Sequence, residues 1–231
     1  MRRDHELVRC AWSLGWATSA VITDVVAPHT TVRIVARRLR KLTDAGYLRR
    51  RQVIGGAGHL WLYGAGRNAA AFDPAYRDAW RPSDAQLAHT LTIAETLAAL
   101  IRPGRFGSIV VTGWRGEAEL RTWHQPGEPI ADLHIRWARG DTEGGWHVEV
   151  DRGTESRNAW RRKLLRYLHA PNRQVLVVTT SDERARNIAT VARSLGVPAL
   201  ITDAAALRAD AVVLVYDAIK GCRRPVDELA S

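Results

Sequence analysis

The chain has 231 residues, 46% of them hydrophobic and 25% charged, with a formal net charge of +10 at pH 7. This composition is rich enough to bury a sizeable core and excludes a disordered chain, while the positive balance points to an anionic partner. Cys10 and Cys222 stand too far apart and alone for a disulfide framework or a cysteine zinc site. No apolar run is long enough to cross a bilayer, and Met1–Glu6 is not followed by the apolar segment of a signal peptide, so a cytoplasmic protein with no membrane partner is expected.

The first 66 residues carry eleven basic residues against four acidic ones, which is most of the net charge. The pattern predicts a helix over residues 4–14, a second one capped by Thr18 and running through Val26, a break at Pro28, and a third from Thr30 or Thr31 to Ala45. Val32, Val35, Ala36, Leu39 and Leu42 form the buried stripe expected of the third helix, leaving Arg33, Arg37, Arg40 and Lys41 on other faces. Gly46 closes it. A strand over 47–54, a glycine tip at 55–58 and a strand over 60–63 complete the layout of a winged helix. Its recognition helix would enter a major groove, and Arg49 and Arg51 would flank the wing and reach phosphate or the minor groove. Residues 1–66 are therefore expected to be a winged-helix domain that binds double-stranded DNA.

Residues 67–82 read as an irregular linker. Ser83 can cap a helix through Ile101 with Leu87, Leu91, Ala94 and Leu97 inward, 106–112 predicts a strand, and 117–124 is ambiguous between strand and helix. Leu133, Ile135 and Trp137 alternate with Asp132, His134 and Arg136; Trp146, Val148 and Val150 alternate with His147, Glu149 and Asp151. With the glycine-rich stretch 140–145 as the loop, these two strands form a hairpin with one apolar face and one that gathers Asp132, His134, His147, Glu149 and Asp151.

Thr154 is the expected N-cap of a helix over 155–169, on which Trp160, Lys163, Leu164 and Tyr167 share one stripe. Only three residues of the chain are lysines, and Lys163 lies on an apolar stripe. Either its stem packs while the ammonium snorkels to water, or the ammonium points at the acids as a compact charge that can give up a proton, which arginine cannot do.

Asp132, the run Glu149–Val150–Asp151–Arg152–Gly153–Thr154–Glu155 and the later Trp160, Lys163 and Tyr167 resemble the replication-relaxation family of plasmids and other mobile elements. The resemblance covers nearly the whole chain. It implies a mixed α/β protein: an N-terminal winged helix, then a domain similar to PD-(D/E)XK nucleases over residues 83–217. In that superfamily a Pro-Asp pair precedes an acid-x-Lys triplet, two acids hold Mg²⁺ or Mn²⁺, and the lysine positions or activates water. Carried over, Asp132 and Glu149 are the metal ligands and, with Lys163, the catalytic set. Two departures stand out: Ala131 replaces the proline, and Asp151 occupies the position of the triplet lysine, so that Lys163 would supply the charge from the helix. The resemblance further implies duplex DNA and a relaxase or replication protein as partners.

Beyond that helix, strands are expected over 175–179, 198–202 and 211–216 with a helix over 182–195, and residues 218–231 read as a tail. Glu95 matches by position an extra acid of some of these nucleases, but is equally a structural residue; His134 and His147 are candidate ligands or proton carriers, though single strand histidines are more often neutral hydrogen-bonded residues. Asp151 is a further candidate. No serine or cysteine stands in a nucleophile motif. Two function classes remain: a Mg²⁺-dependent DNA endonuclease or nickase acting in replication, relaxation or mobilisation, and a non-enzymatic DNA-binding accessory factor or regulator with a degenerate nuclease fold.

Overall fold

The computed structural model describes residues 2–55, 58–76, 82–102, 106–123, 128–168, 174–209 and 213–226. The chain is mixed α/β and divides into two compact units, residues 1–98 with 116–122, and residues 99–115 with 123–231. The second unit thus begins later than residue 83, because most of the helix that opens there belongs to the first.

In the first unit, helix α1 (Arg2–Ser13) leads into strand β1 (Ala17–Thr18), helix α2 (Ser19–Val26) and helix α3 (Val32–Asp44). The Thr18 hydroxyl accepts from the Val21 N–H at 3.2 Å, satisfying one of the four free amides that open α2. Val35, Leu39 and Leu42 are buried on α3 as expected, but Val32 is 42% exposed: it stands at the first helical position, before the stripe reaches the core. Gly46 takes φ +76°, the left-handed conformation that ends a helix without a Cβ clash. Strands β2 (Leu48–Gly55) and β3 (Gly58–Ala65) then pair antiparallel, and β1 adds to the free side of β3, an antiparallel sheet of order β1-β3-β2.

The segment expected as an irregular linker is partly packed. A 3-10 turn over Ala69–Ala71 brings Phe72 to 4.9 Å from the Tyr47 ring, and buried Tyr76 stacks on Trp12 at 4.6 Å and shares a 2.9 Å hydrogen bond with His5. Helix α4 (Asp84–Leu100) starts with a capping box, in which the Ser83 hydroxyl accepts from the Gln86 N–H while the Gln86 side chain accepts from the Ser83 N–H at 3.0 Å. The ambiguous stretch after residue 116 is helix α5 (Glu117–Trp123). Glu119 on α5 holds Arg9 of α1 in a two-pronged ion pair, at 2.8 and 3.0 Å.

The second unit is built on a seven-stranded sheet of order β10-β9-β8-β7-β6-β5-β4. Its strands are β4 (Val110–Gly116), β5 (Leu133–Arg139), β6 (Thr142–Val150), β7 (Gln174–Thr179), β8 (Ala199–Asp203), β9 (Leu214–Asp217) and β10 (Cys222–Pro225). β4 begins four residues later than the expected strand, after a turn at Phe106–Ser108. The β5–β6 hairpin turns tightly on Gly140, at φ +54°, and Asp141, so Gly144 and Gly145 are paired strand residues and not loop. Its register sets Leu133 opposite Val148 and His134 opposite His147. β6, β7 and β8 run parallel, connected by helices α6 (Arg157–Leu168) and α7 (Asp182–Leu195).

One sheet face buries Leu133, Ile135, Trp146 and Val148, with Phe106 5.2 Å from Trp146. The opposite face packs Val175, Val177, Ala199 and Ile201 against Trp160, Leu164 and Tyr167 of α6 and Ile188 and Val191 of α7. Two local expectations are corrected. Ser156, whose hydroxyl accepts from the Ala159 N–H, opens α6 in place of Thr154. Residues 218–226 are not a tail, because the Asp217 carboxylate accepts from the Ile219 and Lys220 amides, bends the chain at Gly221 and returns β10 onto β9. A short helix α8 (Ala204–Arg208), capped by Asp203, was not foreseen. His169 and the start of the strand expected from residue 211 lie outside the described residues.

Candidate functional site

Pairing and pleat decide which side chains meet. Asp132 precedes β5, and its carboxylate accepts from the Val150 N–H at 2.7 Å, which fastens it to the end of β6. Glu149 lies on the face that α6 covers, opposite Val177 on β7, and is only 3% exposed. The polar face of the hairpin is thus not open to solvent at this end: a helix lies over it.

Glu149 is met there by the α6 stripe. The Tyr167 hydroxyl donates to Oε1 at 2.5 Å and the Lys163 ammonium to Oε2 at 3.0 Å. Lys163 also donates to Glu155 at 2.8 Å and stands 4.8 Å over the Trp160 ring. Of the two orientations open to it, the ammonium turns to the acids.

The electrostatics separate the two partners. Burial, then the charge of Asp132, push the Glu149 carboxyl up to about 7, against the pull of Lys163 and Tyr167. Burial works against a charged Lys163, but Glu149 and Glu155 outweigh it and raise its pKa above the ordinary lysine value. The surroundings therefore favour the cationic form of Lys163 and oppose the anionic form of Glu149. Tyr167 is held neutral, first by burial and then by Glu149.

Asp151 has a separate role. Buried at 2% exposure, it accepts two bonds from Arg184, at 2.7 and 3.2 Å, and one from the Trp160 indole at 3.2 Å. Arg184 also donates to the Glu155 carbonyl at 2.5 Å. One guanidinium thus ties the end of β6 to the loop that carries Glu155.

The other expected residues fall as follows. The His134 and His147 rings meet at a tilt, with centroids 5.0 Å apart, and His147 lies 5.7 Å from the Tyr167 ring, beside the carboxylate cluster. Glu95 is exposed on α4, in the other compact unit. Among the described residues no group of three or more histidine, cysteine, aspartate or glutamate side chains is arranged to hold a metal. Sequence reasoning places Tyr167 with Lys163 on one stripe but gives it no bond to Glu149, and it misses the roles of Glu155 and Arg184. Tyr167 was recognisable one turn beyond Lys163 on the same stripe, whereas Arg184 reads in sequence only as part of a charged first helical turn.

In the first unit Arg33, Arg37, Arg40 and Lys41 are all exposed on α3. At 100° per residue Arg33, Arg37 and Arg40 fall within a narrow arc opposite Val35, Leu39 and Leu42. Between α1 and α3 a groove is lined by Arg3, Arg37, Arg38 and Lys41 over Leu7, Ile34 and Val35. Arg38 is gripped by Asp4 through two hydrogen bonds. On β2, Arg49 is half-buried, and Arg51 is engaged by Asp84 at 3.2 Å and by the Pro82 carbonyl at 3.3 Å.

The fold and site define a mixed α/β protein with a basic helical unit and a second unit that holds a buried Glu–Lys–Tyr cluster at the end of a sheet strand. Residues 13–175 match the family described as Replication-relaxation, and the chain belongs to that family. No curated protein and no solved structure matches it. The matched stretch includes Asp132, Glu149, Lys163 and Tyr167 and ends before Arg184. Among the described residues no helix is long and apolar enough to cross a membrane.

Proposed function

We propose that the protein binds duplex DNA through a winged helix formed by α1–α3 and β1–β3, and that its second unit is a PD-(D/E)XK-like domain acting on that DNA during replication, relaxation or mobilisation of a plasmid or other mobile element. The observation that carries the reading is the 3.0 Å contact from Lys163 to Glu149, with Asp132 fastened to the same strand end. The helix–wing order and the bare arginine arc of α3 support the DNA-binding half.

The donor set fits Mg²⁺ or Mn²⁺. These ions are commonly held by only one or two carboxylates, and Glu149 is disfavoured as an anion by burial and by Asp132, a strain that a cation between them would relieve. Asp132 and Glu149 would hold the ion, which when bound polarises a phosphodiester oxygen. Lys163 keeps Glu149 oriented and contributes a permanent positive charge for a phosphate. Its raised pKa makes it a poor base, so its part is electrostatic. Tyr167 fixes the other oxygen of Glu149.

A specific observation favours a second reading, a non-enzymatic DNA-binding accessory factor. Both Glu149 oxygens are already bonded, Glu155 closes the far side of Lys163, and Arg184 occupies Asp151. Supercoiled plasmid incubated with the protein and Mg²⁺ or Mn²⁺ separates the two. Nicking or linearisation abolished by EDTA, by Asp132→Ala and by Lys163→Ala supports the nuclease; salt-sensitive binding weakened by Arg37→Ala or Arg40→Ala, with the plasmid intact, supports the accessory factor. Absence of duplex binding at low salt would defeat both.

A further inference from the structure

The β2–β3 hairpin has two unlike faces. On one, Val53 and Leu62 join the apolar cluster of Trp16, Leu87 and Leu91. On the other, the register places Gln52 opposite Trp61, Ile54 opposite His59 and Arg50 opposite Tyr63. Directly opposed residues share a face, so Arg50, Gln52, Ile54, His59 and Trp61 form one continuous surface. Trp61 is 40% exposed there and Ile54 87%.

Two features distinguish this surface from stray exposed apolar residues. The Arg50 guanidinium sits 4.5 Å from the Trp61 ring centroid, so the indole is braced on one side while much of it stays open. The surroundings are cationic: between Ala45 and Phe72 the chain has Arg49, Arg50, Arg51 and Arg67 and no acidic residue. The surface also adjoins the basic helix, since the buried Tyr63 hydroxyl, raised in pKa by burial, feels both Arg50 and Arg40 of α3.

We infer that the exposed face of this hairpin, centred on Trp61 and Arg50, is a stacking site for unpaired bases of DNA. A paired base inside a duplex has its ring faces covered by its neighbours, whereas an unpaired base offers one to an indole and its phosphate to a guanidinium. An apolar protein partner is a poor match for a surface with Arg50, Gln52 and His59 around the tryptophan. Resting on the duplex-binding role of α3, this deepens it: the substrate is DNA with a single-stranded stretch next to a duplex.

The test uses the full chain and two labelled DNAs, a blunt duplex and the same duplex with a single-stranded extension bearing a fluorescent purine analogue. The wild type should bind the extended DNA roughly 10-fold more tightly than the blunt one, and should quench the analogue. Trp61→Ala should lose that margin and the quenching while keeping blunt-duplex affinity; Trp61→Phe, which keeps an aromatic face, should retain most of both. Equal wild-type affinity for the two DNAs, or no quenching by the wild type, overturns the inference whether or not the alanine variant folds. Equal weakening of both DNAs by Trp61→Ala also overturns it. Wild-type binding to the extended DNA with none to the blunt duplex would support the stacking site and defeat the duplex reading, and binding to neither DNA defeats both.

Discussion

Replacing Arg184 with methionine should strip the second unit of a large part of its stability. Asp151 has no exposed side-chain surface, and two of its three observed side-chain bonds come from Arg184. The methionine fills much of the space but donates nothing, so a buried carboxylate is left with the Trp160 indole alone. Removing one partner of such a pair costs about 3–5 kcal/mol, because the remaining charge stays desolvated. The bond to the Glu155 carbonyl is lost as well. Asp151→Asn in the same chain removes the orphaned charge and should recover part of the loss, giving a coupling energy of at least about 1 kcal/mol. Urea unfolding followed by far-ultraviolet circular dichroism, on the wild type, both single variants and the double variant, measures all four corners of the cycle. An Arg184→Met variant within about 1 kcal/mol of wild type, or strictly additive variants, would refute the argument that the pair is desolvated and coupled.

The raised Glu149 pKa has a defined sign. The folded protein keeps this proton above the ordinary carboxyl value of 4.5, where the unfolded chain releases it, so the contribution to stability is full below that value and is lost as pH rises to about 7. The loss is on the order of 3 kcal/mol at one pKa unit per 1.36 kcal/mol; the wild type minus Glu149→Gln difference in urea midpoint, compared at the two ends of this range, should show it, and a pH-independent difference would contradict it. Tyr167→Phe should cost about 1–3 kcal/mol in the same assay, since it removes a short hydrogen bond to a buried carboxyl. Thr18→Val should destabilise the first unit by about 1 kcal/mol through loss of the α2 cap, read from its thermal unfolding. Gly46→Ala should cost more than that cap, because φ is +76° and the new Cβ would fall 2.7 Å from the Asn68 side-chain nitrogen; an unchanged melting temperature would be inconsistent with that backbone.

Much of this architecture was legible from local chemistry. The helix order of the first unit followed from Thr18, Pro28 and Gly46, and the β5–β6 hairpin followed from strict alternation, because each signal acts within a few residues. The same alternation put Glu149 on the polar side, and the α6 stripe put Lys163 and Tyr167 together, so most of the cluster lay in the sequence once two elements were set face to face. Arg184 did not, because its partner is 33 residues away and only the parallel β6–β7 crossover brings α7 to the end of β6. The return of residues 116–122 to the first unit was equally illegible: it depends on Glu119 meeting Arg9 across 110 positions. β10 was missed for a different reason. Cys222–Pro225 has neither apolar alternation nor strand propensity, and it is recruited by the Asp217 turn and by the Arg224 pair with that same aspartate.

That last strand bears on how the sheet resists pairing with another chain. A terminal strand of an open sheet offers a row of free amides and carbonyls to any other extended chain, and β10 occupies that position. It is four residues long, with consecutive arginines at 223 and 224 and a proline at 225, which supplies no amide. Shortness, like charge and a missing donor are the devices that discourage strand-to-strand growth into aggregates. Trimming the chain before Cys222 would instead leave β9, with Leu214 39% exposed, as the rim of the sheet. Such a shortened protein also loses the buried Val226 and should self-associate on concentration, a liability for any expression design that ends the gene early.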